Sequence, residues 1–364
     1  MNRMKLNLDR RAVNSYEIHV GTGILDRMGM ILSMNRWADR YVLVTDDNIA
    51  ALHGEKVQAA LEKAGLRVDR ITVAPGEASK GIDTVLAVTG KLTALGADRQ
   101  TALIALGGGV VGDLTGFAAA IYMRGISVIQ VPTTLLAQVD SAIGGKTGVD
   151  TDAGKNLLGT FHQPKAVFID CAFLETLPDD QLRSGLAEVI KYGAIETPEI
   201  LDEIEAAVAN GGLRAPAFLE RITEAACKIK KGLVEIDEQD RGVRRILNFG
   251  HTVGHAVEAA SGYALTHGQS VAIGMVAAAG LSEKLHYLSA AERERIGAII
   301  RAAGLPDRIP RGMSTEEILS RLGKDKKKEG GKVHFVLLKK LGIPFVNGGI
   351  PEETIRETLE GMRA

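Results

Sequence analysis

The stretch TALIALGGGVVGD, Thr101 to Asp113, decides how this chain is read. A short apolar run ends in three glycines, and a second apolar segment follows without a break. Gly107, Gly109 and Gly112 fall in G-x-G-x-x-G spacing, after a predicted strand and at the opening of a predicted helix. Glycines at such a turn let backbone N–H groups approach a pyrophosphate, and the positive end of the helix favours its charge. Glycines also make plain tight turns. The strand before and the helix after are what make this a candidate phosphate site.

Outward from this turn, strands and helices alternate. RYVLVTDDN, RVDRITVAPG and GISVIQVPTT read as strands, and EKVQAALEKAG and GIDTVLAVTGKLTALGA as helices. That alternation predicts a parallel sheet covered on both faces. The dinucleotide fingerprint wants an acid about 20 residues after the glycines to hold a ribose. IQVPTT stands there instead, so Asp46, ending an earlier strand, is the better candidate and the strand order is not the standard one. Asp113, just inside the next helix, also reads as an ordinary acid favoured by the helix dipole. DSAIGGKTGVDTDAGKN, Asp140 to Asn156, reads as a glycine- and lysine-rich loop. Its Lys146 follows two glycines, but the P-loop spacing G-x-x-x-x-G-K-[ST] fails at its first glycine. Two lysines and Asn156 there suit a small phosphorylated or polyhydroxylated ligand, although one such lysine alone would read as solvated surface.

With 364 residues the chain exceeds one ordinary core, so two domains are expected. The character changes near residue 176. From PDDQLRSGLAEVIKYGAI onward the sequence is mostly amphipathic helix, apart from a short hairpin expected in KVHFVLLKKLGIPFV. The expected division is therefore 1–176 and 177–364. A net charge of −1 argues against a general nucleic-acid or membrane-surface binder. Two distant cysteines, Cys171 and Cys227, fit a reducing, cytoplasmic setting. The charged N-terminus lacks the apolar region of a signal peptide, and SVAIGMVAAAGL is too short to span a bilayer.

ILNFGHTVGHAVEAASGYALTHG, Ile246 to Gly268, holds three of the eight histidines. His251 and His255 stand four apart, on one face of a helix. The metalloprotease pattern H-E-x-x-H fails, because Thr252 occupies the position of its general base. Glu188 and Lys191, three apart in GLAEVIKYG, point the same way from another helix. Three readings stay open: a metal held by His251 and His255, a metal held by Glu188, His251 and His267 with His255 left for proton transfer, or packed core histidines. Lys230, Arg244 and Asn248 add polar groups on otherwise amphipathic helices. Cations near a metal with few carboxylates suit an anionic substrate.

PGEASK, GGGVVGD, YMRGI, VPTTLLAQVDSAIGGKTGVD, GKNLLG, GLAEVIKYG, RRILNFGHTVGHAVE and DKKKEGGKVHFVLL run in one order from about residue 40 to 345. Together they resemble the 3-dehydroquinate synthase family of sugar-phosphate cyclases. The resemblance implies an N-terminal α/β nucleotide-binding domain, a C-terminal metal-binding domain rich in helix, and a site in the cleft between them. It implies conversion of 3-deoxy-D-arabino-heptulosonate 7-phosphate to 3-dehydroquinate and phosphate in the shikimate pathway. The steps would be transient oxidation by bound NAD, phosphate β-elimination, re-reduction, ring opening and aldol closure.

By the same resemblance Glu188, His251 and His267 would hold one divalent ion, Zn2+ or Co2+. The dinucleotide would meet Asp46, Asn48, Glu77, Lys80, Gly108, Gly109, Asp113, Thr133, Thr134, Lys155 and Thr176. The substrate, a small phosphorylated sugar acid, would meet Arg124, Asp140, Lys146, Asn156, Lys191, Asn248 and a lysine of DKKK, Lys326 or Lys327. Lys230, Arg244 and His255 would serve the chemistry, His255 as proton carrier because neutral imidazole both gives and takes near pH 7. Asp240 would assist them. A homodimer is implied, with no nucleic acid and no membrane. Two positions depart from the family pattern: Gln269, where many relatives carry an acid, and His162, where an aromatic is more familiar. The rival readings are another sugar-phosphate cyclase and a metal-dependent polyol or glycerol-phosphate dehydrogenase.

Overall fold

The computed structural model describes residues 15–326 and 332–364. In the first half, strands β1 (Glu17–Gly21), β2 (Arg40–Asp46), β3 (Val68–Val73), β4 (Thr101–Gly107), β5 (Ser127–Pro132) and β8 (Ala166–Asp170) form one sheet. Its order is β1-β8-β5-β4-β2-β3 and every pairing is parallel. Strands β6 (Lys146–Thr151) and β7 (Gly154–Phe161) make a separate antiparallel hairpin.

Side chains alternate across the strands, so each face gathers its own core. Tyr41, Leu43, Ile104 and Leu106 point to helices α1 (Leu25–Asn35) and α3 (Glu55–Lys63). Val42, Val44, Leu103 and Val128 point to α4 (Ile82–Ala94) and α5 (Gly109–Ile121). Central β4 is buried along its whole length, which explains its unbroken apolar sequence. A short turn, α2 (Asp47–Ile49), follows β2 and is capped by Asp46, whose carboxylate accepts from the Asn48 and Ile49 amides, both at 3.0 Å.

The glycines thus stand between a strand and a helix as expected, and the strand order is not the standard one. After β3 the chain returns past β2 to place β4 on the other side. The carboxyl ends of β2 and β4 flank this reversal, where ligands bind in open α/β sheets. Thr45 pairs with Leu106, so Asp46 and Gly107 emerge side by side.

The second half is helical: α6 (Asp179–Ile195), α7 (Glu199–Ala209), α8 (Pro216–Ile236), α9 (His251–Ala260), α10 (His267–Lys284), α11 (Ala290–Ala302), α12 (Thr315–Lys326) and α13 (Glu352–Gly361). The expected hairpin forms as β9 (Phe335–Lys340) and β10 (Ile343–Asn347). Apolar α10 lies among α6, α9, α11 and β9, which is why its sequence is hydrophobic on nearly every side. Among the described residues, no helix is long and apolar enough to cross a membrane.

One expectation needs correcting, and two strands went unread. The stretch 140–156 is not a plain loop: it runs through a π-helical turn at Ala137–Ser141 into β6 and β7. Gly148 and Gly159 face each other there so closely that either Cβ would meet the opposite backbone within 3 Å, so the glycines are a packing requirement. The short strands β1 and β8 also join the sheet, each of five residues and too brief to register as a periodic pattern.

Candidate active site

Three helices converge on a buried carboxylate. Glu188 lies just past the middle of α6 and is fully sealed from solvent. Gly250, with φ +82°, turns the chain so that α9 begins at His251. Thr266 caps α10, whose first residue is His267, and the next amide, Gly268 N–H, donates to Ser184 Oγ of α6 at 3.0 Å. A Cβ on Gly268 would lie 2.1 Å from the Ser184 carbonyl oxygen, so the close docking of α10 on α6 depends on this glycine. One turn along α6 from Ser184 stands Glu188.

His251 Nε2 and His267 Nε2 approach Glu188 Oε1 at 3.5 and 3.3 Å, and the three side chains can offer ligand atoms within 4.8 Å of one another. His251 Nδ1 lies 3.3 Å from the Phe249 carbonyl, which can only accept, so the proton sits there and the Nε2 lone pair faces the cluster. Both Glu188 oxygens are buried without a well-formed hydrogen bond. A sealed carboxylate with two imidazole Nε2 atoms gathered on one of its oxygens suits a divalent cation of the zinc type. His255 is exposed, and its ring centroid lies 5.3 Å from that of His251 and 6.0 Å from that of His267. The geometry thus groups His251 with His267 and Glu188.

Burial opposes charge on His251 more than Glu188 favours it, holding the imidazole down at about 3. For His267 burial also lowers the value, but hydrogen bonds to Glu188 and Glu258 outweigh it and raise the ring to about 9.

Beside this cluster stand the buried cations Lys191, Lys230 and Arg244. Glu188 also pairs with Lys191, and both are buried, so this i,i+3 pair is an interior ion pair and not a solvated helix face. Lys230 pairs with Asp140, and the Tyr192 hydroxyl lies 2.9 Å from the same Asp140 oxygen. Burial would raise the Asp140 carboxyl, but Lys230 and Lys191 hold it well below the usual carboxylate range. Burial likewise lowers the Lys230 ammonium, with Asp140 opposing. Arg244 is 2% exposed; it donates to the Glu238 carbonyl at 2.9 Å and fills the space over Gly144, where a Cβ would meet its Nη2 at 2.4 Å. Lys146 pairs with Asp240, whose φ is +54°, and Asn248 is exposed after Arg244.

On the nucleotide side Gly108 caps α5 and Gly109 opens it. A Cβ on Gly108 would approach Thr134 at 3.1 Å, and one on Gly112 would lie 2.9 Å from Gln130 of β5, so the glycines allow close helix-to-strand packing. Thr133 N–H donates to the Gly107 carbonyl at 2.9 Å. Lys80 joins Asp113 at 2.6 Å and Asn156 at 2.7 Å, while burial raises the Asp113 carboxyl despite that lysine. Lys155 reaches Glu77 at 3.2 Å. Thr176 Oγ1 lies 2.8 Å from His53 Nε2, and Asn48 is exposed beside Asp46.

Arg124 is not brought to the cluster. It is exposed beyond the far end of α5, a helix about 20 Å long whose other end is the glycine turn. Lys326 ends α12, and Lys327 lies outside the described residues. Gln269 proves to be a helix cap: its side chain accepts from Thr266 N–H at 2.8 Å. His162 Nε2 sits 2.8 Å from the Ile126 carbonyl. The sequence reading missed Glu258, which bridges His267 and Lys155; its only signal was a position seven residues after His251, on the same helix face.

Comparison with known proteins converges on one family. The 3-dehydroquinate synthase N-terminal model matches residues 70–184 and the 3-dehydroquinate synthase C-terminal model matches residues 185–328. A 3-dehydroquinate synthase from Symbiobacterium thermophilum is 45% identical over 96% of this chain and 98% of its own. Among solved structures, 2-epi-5-epi-valiolone synthase from Streptomyces hygroscopicus subsp. jinggangensis 5008, with NAD+ and Zn2+ bound, superposes with a TM-score of 0.90 at 27% identity, over 99% of each chain. A 2-deoxy-scyllo-inosose synthase complexed with carbaglucose-6-phosphate, NAD+ and Co2+ superposes at 0.85 with 26% identity, over 95% of this chain and 96% of the other. With both domain models matched in order and near-full-length identity to a curated member, the chain belongs to the 3-dehydroquinate synthase family.

Proposed function

We propose that this chain is a 3-dehydroquinate synthase of the shikimate pathway. It converts 3-deoxy-D-arabino-heptulosonate 7-phosphate to 3-dehydroquinate and phosphate with bound NAD and one Zn2+ or Co2+ ion. The observation that carries this reading is the sealed Glu188–His251–His267 cluster set against the buried cations Lys191, Lys230 and Arg244. A dehydrogenase acting on a neutral polyol has no need of such cations. A phosphorylated acid does.

Held by Glu188, His251 and His267, the ion would supply Lewis-acid polarisation of substrate hydroxyls, and bound NAD would supply a reversible hydride acceptor, leaving no net redox change. The protein holds and orients the anion. Lys191, Lys230, Arg244 and Asn248 surround the substrate from the helical side, and Lys146 and Asn156 from the hairpin. Asp140 fixes Lys230, and Asp240 fixes Lys146, so these ammoniums wait in position. Departure of phosphate in the elimination is assisted by the same cations, which favour the charge that develops on its oxygens. His255 carries a proton at its ring nitrogen during elimination and ring closure, and its exposure lets it exchange with solvent between turnovers. Asp46 and Asn48 hold a ribose at the sheet's reversal point. Gly108 and Gly109 admit the pyrophosphate, with Glu77, Lys80, Asp113, Thr133, Thr134, Lys155 and Thr176 around it.

Residues 1–176 are proposed as the nucleotide-binding domain and 177–364 as the metal- and substrate-binding domain, in a cytoplasmic enzyme that binds neither nucleic acid nor membrane. A homodimer is proposed as well. Strand β7 exposes Leu157, Leu158 and Phe161, and its outer edge pairs with no strand among the described residues, an arrangement that invites a second copy. Ile121 and Met123 beside Arg124 are exposed too, and the distance of Arg124 from its own cluster fits a role in the partner's site.

The test is to supply the heptulosonate phosphate and assay both products. Equal release of phosphate and dehydroquinate, without steady accumulation of NADH, is expected. Phosphate without dehydroquinate would point to another cyclase product, and net NADH to a dehydrogenase.

A further inference from the structure

Glu258 stands on α9 seven residues after His251 and three after His255, facing the site, with its side chain 10% exposed. Its two oxygens are divided between two domains. Oε2 lies 3.5 Å from His267 Nδ1, and Oε1 accepts from Lys155 Nζ at 2.8 Å. Lys155 belongs to β7 in the nucleotide half, where it also reaches Glu77 at 3.2 Å, and its ammonium lies 4.5 Å from the centre of the Tyr263 ring. An imidazole that gives its Nδ1 proton to a carboxylate presents a fixed, more basic Nε2 to a metal. Glu258 therefore does for His267 what the Phe249 carbonyl does for His251, with one addition: its second oxygen grips the other domain. No other described carboxylate pairs with both Lys155 and a ligand of the cluster.

We propose that Glu258 is a positioning residue that orients His267 toward the metal and, through Lys155, couples metal binding in the helical half to dinucleotide binding in the sheet half. This rests on Glu188, His251 and His267 being the metal ligands. Any restraint that one ligand places on the Glu258–Lys155 bridge is felt by the other, and the coupling is reciprocal by linkage. Seating NAD+ against Lys155 and Glu77 steadies Glu258, hence His267, hence the metal. Removal of the bridge leaves two sites that bind independently.

The measurement is Co2+ affinity of the full chain, by competition with a chelator, with and without saturating NAD+, together with the visible absorption spectrum of the Co2+ protein. In the unsubstituted protein NAD+ tightens Co2+ binding by roughly 5-fold or more, within the usual range of coupling between sites. Glu258→Ala weakens Co2+ binding by about 10–100-fold and alters the spectrum, as loss of an outer partner of a ligating histidine does. Glu258→Gln can still accept from His267 Nδ1, so it keeps the spectrum, but it loses the charge that holds Lys155 and with it the NAD+ effect. Lys155→Met keeps the spectrum and NAD+-free Co2+ affinity while also abolishing the NAD+ effect. A purely structural Glu258 would lower thermal stability and leave the spectrum and the coupling unchanged, which overturns the proposal. His251→Ala separates the two levels of inference. If that variant binds Co2+ normally, the metal assignment itself fails; if it loses Co2+ while Glu258→Ala does not weaken it, only the role of Glu258 fails.

Discussion

His251 and His255 leave the same face of α9, and it is His251 whose Nε2 stands 3.5 Å from Glu188 and that groups with His267 as a possible metal cluster. Substitution should separate their roles. His255→Ala is expected to retain stoichiometric metal and lose most turnover, by about 100-fold or more for a general acid–base residue. His251→Ala is expected to lose the metal, as read by metal analysis after dialysis, and equal metal loss in both would restore the symmetric pair. The metal-free cluster should also shape stability against pH. Below the ordinary imidazole value of about 6.5, the unfolded chain takes a proton that His251, held at about 3, refuses, so stability rises with pH across that window. Above it, folded His267 keeps until about 9 a proton that the unfolded chain has released, so its contribution fades as pH rises. For these two groups, chelator-treated protein should be most stable near the value where both are ordinary. In thermal unfolding across pH, His251→Ala should flatten the acid limb and His267→Ala the alkaline one. Spacing alone made the 251/255 pair visible but left the choice of ligands open, because a helix face says nothing of what packs against it. The family resemblance chose among the three readings. Glu258 escaped both, since a glutamate on an amphipathic helix looks solvated until its two partners, 103 and nine residues away, are in place.

Helices α9 and α10 carry every histidine of the site, and glycines set their separation. A Cβ on Gly274 would fall 1.8 Å from the Gly250 carbonyl oxygen, and one on Gly254 3.0 Å from that of Ser270. Because the obstacle is backbone, no side-chain rotation relieves it. Gly274→Ala should push α10 from α9 and cost about 1–3 kcal/mol or more, the range for overpacked interiors. A lowered thermal midpoint and weaker metal binding should appear together; normal metal affinity would mean that the crossing does not set the site. Glycine is what the sequence displayed most plainly in the sheet half, where the turn after β4 could be read at sight. In the helical half the same residue was silent, because close approach between helices leaves no local pattern. The hairpin β6–β7 was obscured for a related reason: its exposed strand shows no alternation of buried and exposed positions.

At the scale of the whole molecule, the sheet half and the helical half meet through side chains of opposite charge: Lys230 with Asp140, Lys146 with Asp240, Lys155 with Glu258. The candidate site thus draws on both halves together, and composition could announce two domains without saying where they meet. One residue remains outside that site. Arg124 lies exposed beyond the end of α5 opposite the glycine turn, so in the proposed homodimer its substrate contact would be made to the partner's site, with the exposed edge of β7 as the proposed docking surface. A two-fold pairing makes a sharp demand. Arg124→Ala and His255→Ala should each be nearly inactive alone, but a heterodimer of the two would contain one site with its own His255 and the partner's intact arginine. Random reassociation of equal amounts should then restore about a quarter of the unsubstituted activity, since half the dimers are mixed and half their sites are complete. Mixing Lys230→Ala with His255→Ala, both residues of the same site, should restore nothing. If the Arg124→Ala mixture also stays inactive while exchange of subunits is demonstrated by mass, Arg124 acts within its own chain or not at all, and the pairing through β7 loses its functional argument.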